Sequence, residues 1–160
     1  MSEFFLEYKT FLIFLHIISA VVWVGGMIAM RYAAHPSFML IESPAKRLES
    51  ISLALKKLFR IVIVFIFILA MTGAILTVVL GLKHTEYSIY THIKEGIWTL
   101  MAINFFTMMY RRAKADKAMT QGDFVTAKNQ LSLIGSFMVP LNIALGIIAI
   151  FLGAYLSSNL

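Results

Sequence analysis

A histidine lies deep in the first apolar stretch of the chain, where an ionisable side chain is costly. His16 follows five apolar residues, and Trp23 lies two turns later on the same helical face. An ionisable residue in a membrane span indicates a functional site by default. Neutral imidazole is the commonest metal ligand, and helix-bundle cores often hold haem. We interpret His16 as a haem or metal ligand or a proton relay; the structural alternative is an imidazole hydrogen-bonded to Ser, Thr or a backbone carbonyl of another helix.

A second histidine, His92, opens a later apolar stretch beside Lys94 and Glu95. Counted from the basic residue at the end of each stretch, His16 and His92 differ in height by roughly 6 Å at 1.5 Å per residue. Membrane helices commonly tilt by about 20°, so both could ligate one haem or metal ion. In an equally good arrangement, His16 binds the iron, and His92 and Lys94 bind a propionate or a substrate carboxylate. A boundary role for His92 is the alternative.

Several other positions could line or flank such a site. Gly26, after Gly25, allows close approach of a second helix or of a flat macrocycle. Arg31 and His35, four residues apart, are interpreted as a membrane anchor or as an anion site for phosphate, propionate or a lipid headgroup. Ten methionines suggest copper, but they are scattered, which favours core packing. Further small or polar candidates are Ser19, Thr72, Gly73, Thr77, Thr99, Asn104 and Asn142.

Composition indicates a membrane protein. Of 160 residues, 60% are hydrophobic and 14% are charged, with a mean hydropathy of +0.85; soluble domains have roughly 45–50% apolar and about 25% charged residues. The absence of cysteine excludes disulfides, thiolate metal sites and cysteine nucleophiles. The net charge of +6 does not indicate a nucleic-acid partner, because the basic residues flank apolar stretches.

Four stretches approach the length of about 20 residues that crosses a bilayer. They predict an all-α fold, an integral membrane four-helix bundle in a single domain, residues 1–160. The acidic N-terminus has the wrong charge for a secretory signal peptide. The first loop is predicted to contain an amphipathic segment that leads into the second span or lies on the anionic inner leaflet. The third loop is predicted to extend two helices around a turn at Gln121–Gly122. The predicted spans are about 10–30, 61–82, 93–110 and 131–155.

The basic residues predict the orientation. The first and third loops hold eleven Lys and Arg, against three on the opposite side. Since cytoplasmic loops are enriched in these residues, both termini are expected outside and the two basic loops in the cytoplasm. A bacterial inner membrane fits this multi-pass pattern.

The stretch LHIISAVVWVGGM resembles the first helix shared by the HemJ family of protoporphyrinogen oxidases and the CopD family of copper-handling membrane proteins. HIK at residues 92–94 is similar to the His-x-Lys of HemJ-type proteins, and KKLFRIVIVFIFILAMTGAIL and VPLNIALGIIAIFL resemble later helices. The resemblance covers nearly the whole chain and implies that His16 is a haem b ligand and that Arg31, His92 and Lys94 are the family's polar residues. HemJ-type proteins usually carry an acid before the final-helix proline, whereas residues 136–140 contain none.

These features lead to three hypotheses. The first is a cytochrome b-like membrane oxidoreductase with haem b, His16, His92, Trp23 and Gly26 at the cofactor, and Lys94 and Arg31 in catalysis. It would exchange electrons with a tetrapyrrole or quinone-like partner, with protoporphyrinogen oxidation as one form. The second is CopD-like copper transport or tolerance, with His16, His92 and nearby methionines on the ion path. The third is a haem-free structural subunit. Membrane lipid is expected around the bundle, and glycine-lined faces suggest a homo-oligomer.

Overall fold

The computed structural model describes the backbone of residues 3–82 and 88–159 and the side chains from Tyr8 onward. This part of the chain consists of helices joined by short turns and contains no strand, which confirms the all-α prediction. Two of the long helices contain a five-residue π-helical turn, called here the first and second π turns. In chain order the elements are α1 (Glu3–Ala29), the first π turn (Met30–Ala34), α2 (His35–Met39), α3 (Pro44–Val79), α4 (Ser88–Thr120), α5 (Phe124–Leu133), the second π turn (Ile134–Met138) and α6 (Val139–Ser158).

Three helical segments of the described chain are long and apolar enough to cross a membrane: Tyr8–Met39, Pro44–Val79 and Phe124–Ser158. They contain the predicted first and fourth spans, and they cover residues 61–79 of the predicted second span, 61–82. The predicted third span, residues 93–110, lies within α4, which is less apolar because this segment includes Lys94, Glu95 and Asn104. A membrane crossing by α4 therefore stays a prediction.

Local sequence signals explain where the helices begin. Pro44 occupies the first turn of α3, where its missing amide proton costs no helical hydrogen bond. From there α3 runs without a break into the second apolar stretch, as predicted for the first loop. Gly122, with φ of 76°, supplies the left-handed backbone of the α4–α5 turn, and Asp123 caps α5 by accepting a bond of 2.9 Å from the Thr126 amide. The hydrogen bonds from Thr126 lower the pKa of Asp123.

The core is built from residues of all four long helices. Trp23 of α1 and Phe59 of α3 both contact the ring of Phe105 of α4 edge to face, at centroid distances of 6.0 and 5.1 Å. Such pairs are favourable beyond the area they bury. Met27 and Met108 are fully buried in the same core. The placement of these two methionines agrees with core packing.

Small residues and amides set the spacing between helices. A Cβ on Gly146 would lie 2.4 Å from a methyl carbon of Val24, so α6 and α1 are in close contact there. Asn104 of α4 donates bonds of 2.8 Å to the carbonyl of Met138 and to the side-chain oxygen of Asn142. Asn142 in turn donates to the Met101 carbonyl at 3.4 Å. The amide pair therefore ties α4 to α6 at the end of the second π turn.

Candidate functional site

His16 lies on the side of α1 that packs against α3. Its Nδ1 is 2.9 Å from the hydroxyl oxygen of Thr72, which is fully buried on α3. The adjacent Gly73 leaves space for the ring, since a Cβ there would lie 3.2 Å from His16 Cε1. The small-polar pair Thr72–Gly73 therefore forms the seat of the imidazole. The contact between His16 and Thr72 is an interhelical hydrogen bond between α1 and α3.

The hydrogen bonds of Thr72 determine which imidazole nitrogen carries the proton. The Thr72 hydroxyl donates to the carbonyl oxygen of Ile68 at 2.7 Å, with the Leu69 carbonyl at 3.2 Å. Because a hydroxyl has only one proton, its oxygen must accept from His16, which places the proton on Nδ1. The lone pair of the neutral ring is then on Nε2. A hydrogen bond to a threonine of another helix agrees with the interpretation of His16 as a purely structural residue. The same arrangement, with one ring N–H held by the protein and a lone pair on the other nitrogen, is also the form in which histidine binds metals.

Lys94 is an ionisable residue on the inward side of α4. Its side chain is half-buried, and a Cβ on Gly153 of α6 would lie 2.8 Å from Nζ. The ammonium therefore occupies the space that the missing side chain of residue 153 leaves. It is close enough to the His16 ring to interact with it electrostatically. The structure thus brings together two of the predicted site residues, His16 and Lys94.

Two polar groups on α4 near Lys94 are buried without a hydrogen-bond partner in the described structure. They are the hydroxyl of Thr91, whose side chain is 4% exposed, and the indole Nε1 of Trp98. Positions 91, 94 and 98 are spaced by three and four residues, so they share one face of α4. Neither Thr91 nor Trp98 was among the candidates from sequence. The spacing Thr-x-x-Lys-x-x-x-Trp places all three side chains on one helical face and was the available sequence signal. It could not identify them as site residues, because the sequence does not show which face of α4 turns inward.

His92 takes a different position from His16. Its side chain is 57% exposed, and its Nδ1 is 3.3 Å from a carboxylate oxygen of Glu95. On α4, residue 92 is one position after the inward residue 91, and a step of one residue turns the side chain by about 100°. The described contacts of His92 are therefore with its own helix, and a shared site with His16 stays a prediction.

Trp23 and Gly26, the other predicted cofactor residues, lie further along α1. Trp23 is 1% exposed, and its indole Nε1 has no partner within the described part of the chain. A Cβ on Gly26 would lie 2.9 Å from Leu58 Cδ1, so Gly26 permits close packing of α1 on α3. Contact of either residue with a cofactor stays a prediction.

Arg31 and His35 line a second region at the opposite end of α1. The two π turns lie side by side there and enclose a cavity of about 20 Å³, lined also by Met30, Ile134 and Gly135. A volume of that size holds about one water molecule. Since 15 residues of helix separate His16 from Arg31, the two regions are about 22 Å apart at 1.5 Å per residue. The structure therefore does not place Arg31 beside His16 and Lys94.

Within the described residues, no group of three or more His, Asp or Glu side chains is placed to hold a metal ion. No protein-family model, curated protein or solved structure matches the chain.

Proposed function

We propose that this chain is an integral membrane protein of four spanning helices that binds haem b through His16 and transfers electrons. The observation that carries the proposal is the hydrogen bond between His16 Nδ1–H and Thr72. It leaves the Nε2 lone pair for iron, and it fixes the orientation of the ring as the second partners of metal-bound histidines do.

The residues present fit haem in the number and kind of ligands. Haem iron brings four nitrogen ligands with it, so one or two protein ligands are sufficient. A bare copper ion, by contrast, would need ligands in addition to His16. Haem would supply one-electron redox chemistry, and the protein would set its potential through the axial ligand, hydrogen bonds and burial.

The outer surface of the helices supports their placement in a membrane. Large apolar side chains face outward, with Phe67 of α3 64% exposed and Phe151 of α6 67% exposed. Helix α4 follows the same pattern through Leu100, Ile103 and Phe106. Contiguous exposed apolar surface of this kind indicates contact with lipid or protein. It favours α4 as the fourth span in spite of its lower hydropathy.

The charge distribution supports the proposed orientation in a bacterial inner membrane. The cationic residues between the predicted first and second spans, and those between the predicted third and fourth spans, would face the cytoplasm, with both termini outside. His16 and Lys94 would then lie in the outer half of the bundle. A lipid-accessible tetrapyrrole or quinol is the donor we propose, and oxidation of protoporphyrinogen is the specific form that the resemblance to HemJ-type proteins implies.

The residues of this chain have separate parts in the proposed function. His16 binds the iron through Nε2, and Thr72 holds the imidazole in the required tautomer. Gly73 leaves the space in which the ring lies against α3. The closely packed core around Trp23 and Phe105 excludes water from the centre of the bundle.

An absorption spectrum of the purified chain tests the proposal. Protein made in haem-replete cells should show a b-type α band after dithionite reduction, and His16→Ala should lose it. His92→Ala is the matched control, because this exposed histidine is paired with Glu95; the α band should persist in it.

Three other results would change the assignment. Loss of the band in both histidine variants would indicate a bis-histidine site. Copper at one equivalent without haem would favour the transport hypothesis. A featureless spectrum with no metal would contradict the proposal and leave a structural subunit. Protoporphyrin fluorescence in an anaerobic assay with quinone supplied tests the specific reaction.

A further inference from the structure

Three hydrogen-bond donors on one face of α4 point to a ligand. We call Thr91, Lys94 and Trp98 the α4 donor face. The face meets α6 at Gly153, and the neighbouring contact of the Tyr90 and Tyr155 rings, at 5.2 Å, packs the same ends of α4 and α6 together. The donor face is therefore part of a built helix interface.

The unpartnered atoms of this face are expensive in a buried position. Leaving a buried donor unsatisfied costs about 1–3 kcal/mol. The Thr91 hydroxyl and the Trp98 indole N–H both lack a hydrogen-bond partner in the described structure. Thr91 is only 4% exposed. Native proteins pair nearly all such groups with protein, water or ligand. Thr91 and Trp98 are two helical turns apart, one on either side of Lys94. Two unpartnered donors in this arrangement indicate a missing acceptor.

The charge of Lys94 sets the chemistry of that acceptor. No carboxylate of the described residues lies within ion-pair distance of its ammonium; the nearby Glu95 turns to His92. A cation in a spanning segment normally has a charged or carbonyl partner. An acceptor with one negative charge would neutralise Lys94, whereas a quinone carbonyl would leave its charge uncompensated.

We propose that the α4 donor face binds a carboxylate group of an amphiphilic ligand. The carboxylate accepts from Lys94 Nζ, the Thr91 hydroxyl and the Trp98 indole N–H, and its two oxygens have enough lone pairs for all three. A carboxylate of haem and the carboxylate of a free lipid share this chemistry. In the first case the inference rests on the proposed function, because the carboxylate belongs to the haem held by His16; in the second it stands independently.

Gly153 is a positioning residue for this site. The Cβ of an alanine would lie 2.8 Å from Lys94 Nζ, too close for both atoms to keep their positions. Since the ammonium is the end of a flexible side chain, it would move while the helices stay in place. Gly153→Ala therefore displaces the cation without removing it.

Ligand pairs that differ only in the free carboxylate test the proposal on the full chain in neutral detergent. The first pair is haemin and its dimethyl ester, measured by absorbance. The second is brominated stearic acid and its methyl ester, measured by quenching of Trp98 fluorescence in the Trp23→Phe background. This background isolates the reporter, because the chain has only two tryptophans.

We expect the acid form of one pair to bind at least about 10-fold more tightly than its ester. This ratio corresponds to the loss of one hydrogen bond to a charged group. Lys94→Met should abolish this preference, Lys94→Arg should retain most of it, and Gly153→Ala should reduce it. Lys114→Met is the matched control, because Lys114 is an exposed cation on the same helix; it should leave the preference unchanged. Circular dichroism of each variant checks that the helices are retained.

The two ligand pairs separate the sources of the carboxylate. A preference for haemin assigns the site to a haem carboxylate, and a preference for the brominated acid alone assigns it to a free lipid. If haemin and its ester both fail to bind while the brominated acid quenches Trp98, the haem proposal fails and the donor face stands. Equal binding of acid and ester in both pairs, or a preference that survives Lys94→Met, would overturn the inference.

Discussion

Replacing Thr72 by valine tests the part of the site that the structure defines best. Valine keeps the shape of threonine but removes the hydroxyl that accepts from His16 Nδ1 at 2.9 Å. Thr72 is fully buried, so water cannot readily replace the lost acceptor. The substitution therefore leaves the His16 ring without its hydrogen-bond partner on α3. No group on residue 72 then holds the imidazole proton on Nδ1.

The expected magnitude follows from the role of second partners at metal sites. Their removal typically lowers metal affinity 10- to 100-fold, or about 1.4–2.7 kcal/mol. We expect a loss of haem affinity in this range for Thr72→Val. The haem-free protein should also lose about 0.5–1.5 kcal/mol of stability, since the partly buried hydrogen bond between α1 and α3 is lost.

Haem titration followed by absorbance measures the affinity, and thermal unfolding followed by circular dichroism measures the stability. Thr72→Ser is the control, because serine keeps the hydroxyl and loses only a methyl group. It should bind haem within a few-fold of the parent protein. Unchanged affinity in Thr72→Val would refute the reasoning that this hydroxyl orients the ring. An equal loss in Thr72→Ser would show that packing of the methyl group, rather than the hydrogen bond, determines binding.

Two further predictions concern the fold. Gly146→Ala should destabilise the bundle by about 1–3 kcal/mol, because its Cβ would meet Val24 at 2.4 Å, whereas Gly25→Ala should have little effect, since no atom lies within 4 Å of the added Cβ; thermal unfolding of both variants checks this difference. Acid should weaken the α4–α5 turn, because the pKa of Asp123 is lowered in the folded protein. The stabilisation by the Asp123 carboxylate is fully present above the pKa of an aspartate in the unfolded chain, about 3.9. It is lost as the pH falls through the lower pKa of Asp123 in the folded protein. Melting curves from about pH 5 to pH 2 should show an acid-dependent loss in the parent chain that is smaller in Asp123→Asn, and identical pH dependence in the two proteins would contradict the assignment.

The helices could be predicted from the sequence because apolar stretches bounded by charge carry a strong signal. The turn at Gln121–Gly122 could be predicted because glycine marks a turn locally. The helical segment that leads into the second span could be predicted because its apolar residues have helical periodicity. The two π turns could not be predicted. An extra residue in a helical turn leaves no trace in composition, and Met30–Ala34 and Ile134–Met138 read as ordinary helix.

The site was predicted less completely, because its residues depend on which face of each helix turns inward. His16 stood out, since it is the only ionisable residue in its span. On α4 the apolar and polar residues are mixed around the helix, so His92 and Lys94 were equally plausible as inward residues. The structure turns Lys94 inward and leaves His92 exposed beside Glu95.

The role of Asn142 shows a similar limit. Asn142 follows Pro140, and from the sequence an amide at this position is expected to satisfy a backbone group freed by the proline or to orient a ligand. The structure assigns the Met138 carbonyl to Asn104 instead, and Asn142 accepts from the same amide. This pairing depends on the contact between α4 and α6, which no local pattern specifies.

The two ends of the bundle differ in a way that bears on the proposed function. At the end of the bundle that contains His16 and Lys94, the unpartnered donors of the α4 donor face accompany a cation, and the His16 ring is held against α3. This combination is the basis of the proposed ligand with a metal centre and an anionic group. At the other end, Arg31 and His35 border a cavity of about 20 Å³, the volume of about one water molecule, and an open apolar groove of about 510 Å³ lies beside it along Gly26 and Met30. Between them, the packed rings of Trp23, Phe59 and Phe105 separate the two regions. A redox cofactor at His16 would therefore exchange electrons and protons with partners on its own side of this aromatic layer, which favours a lipid-accessible donor in the outer half of the membrane over a soluble cytoplasmic one.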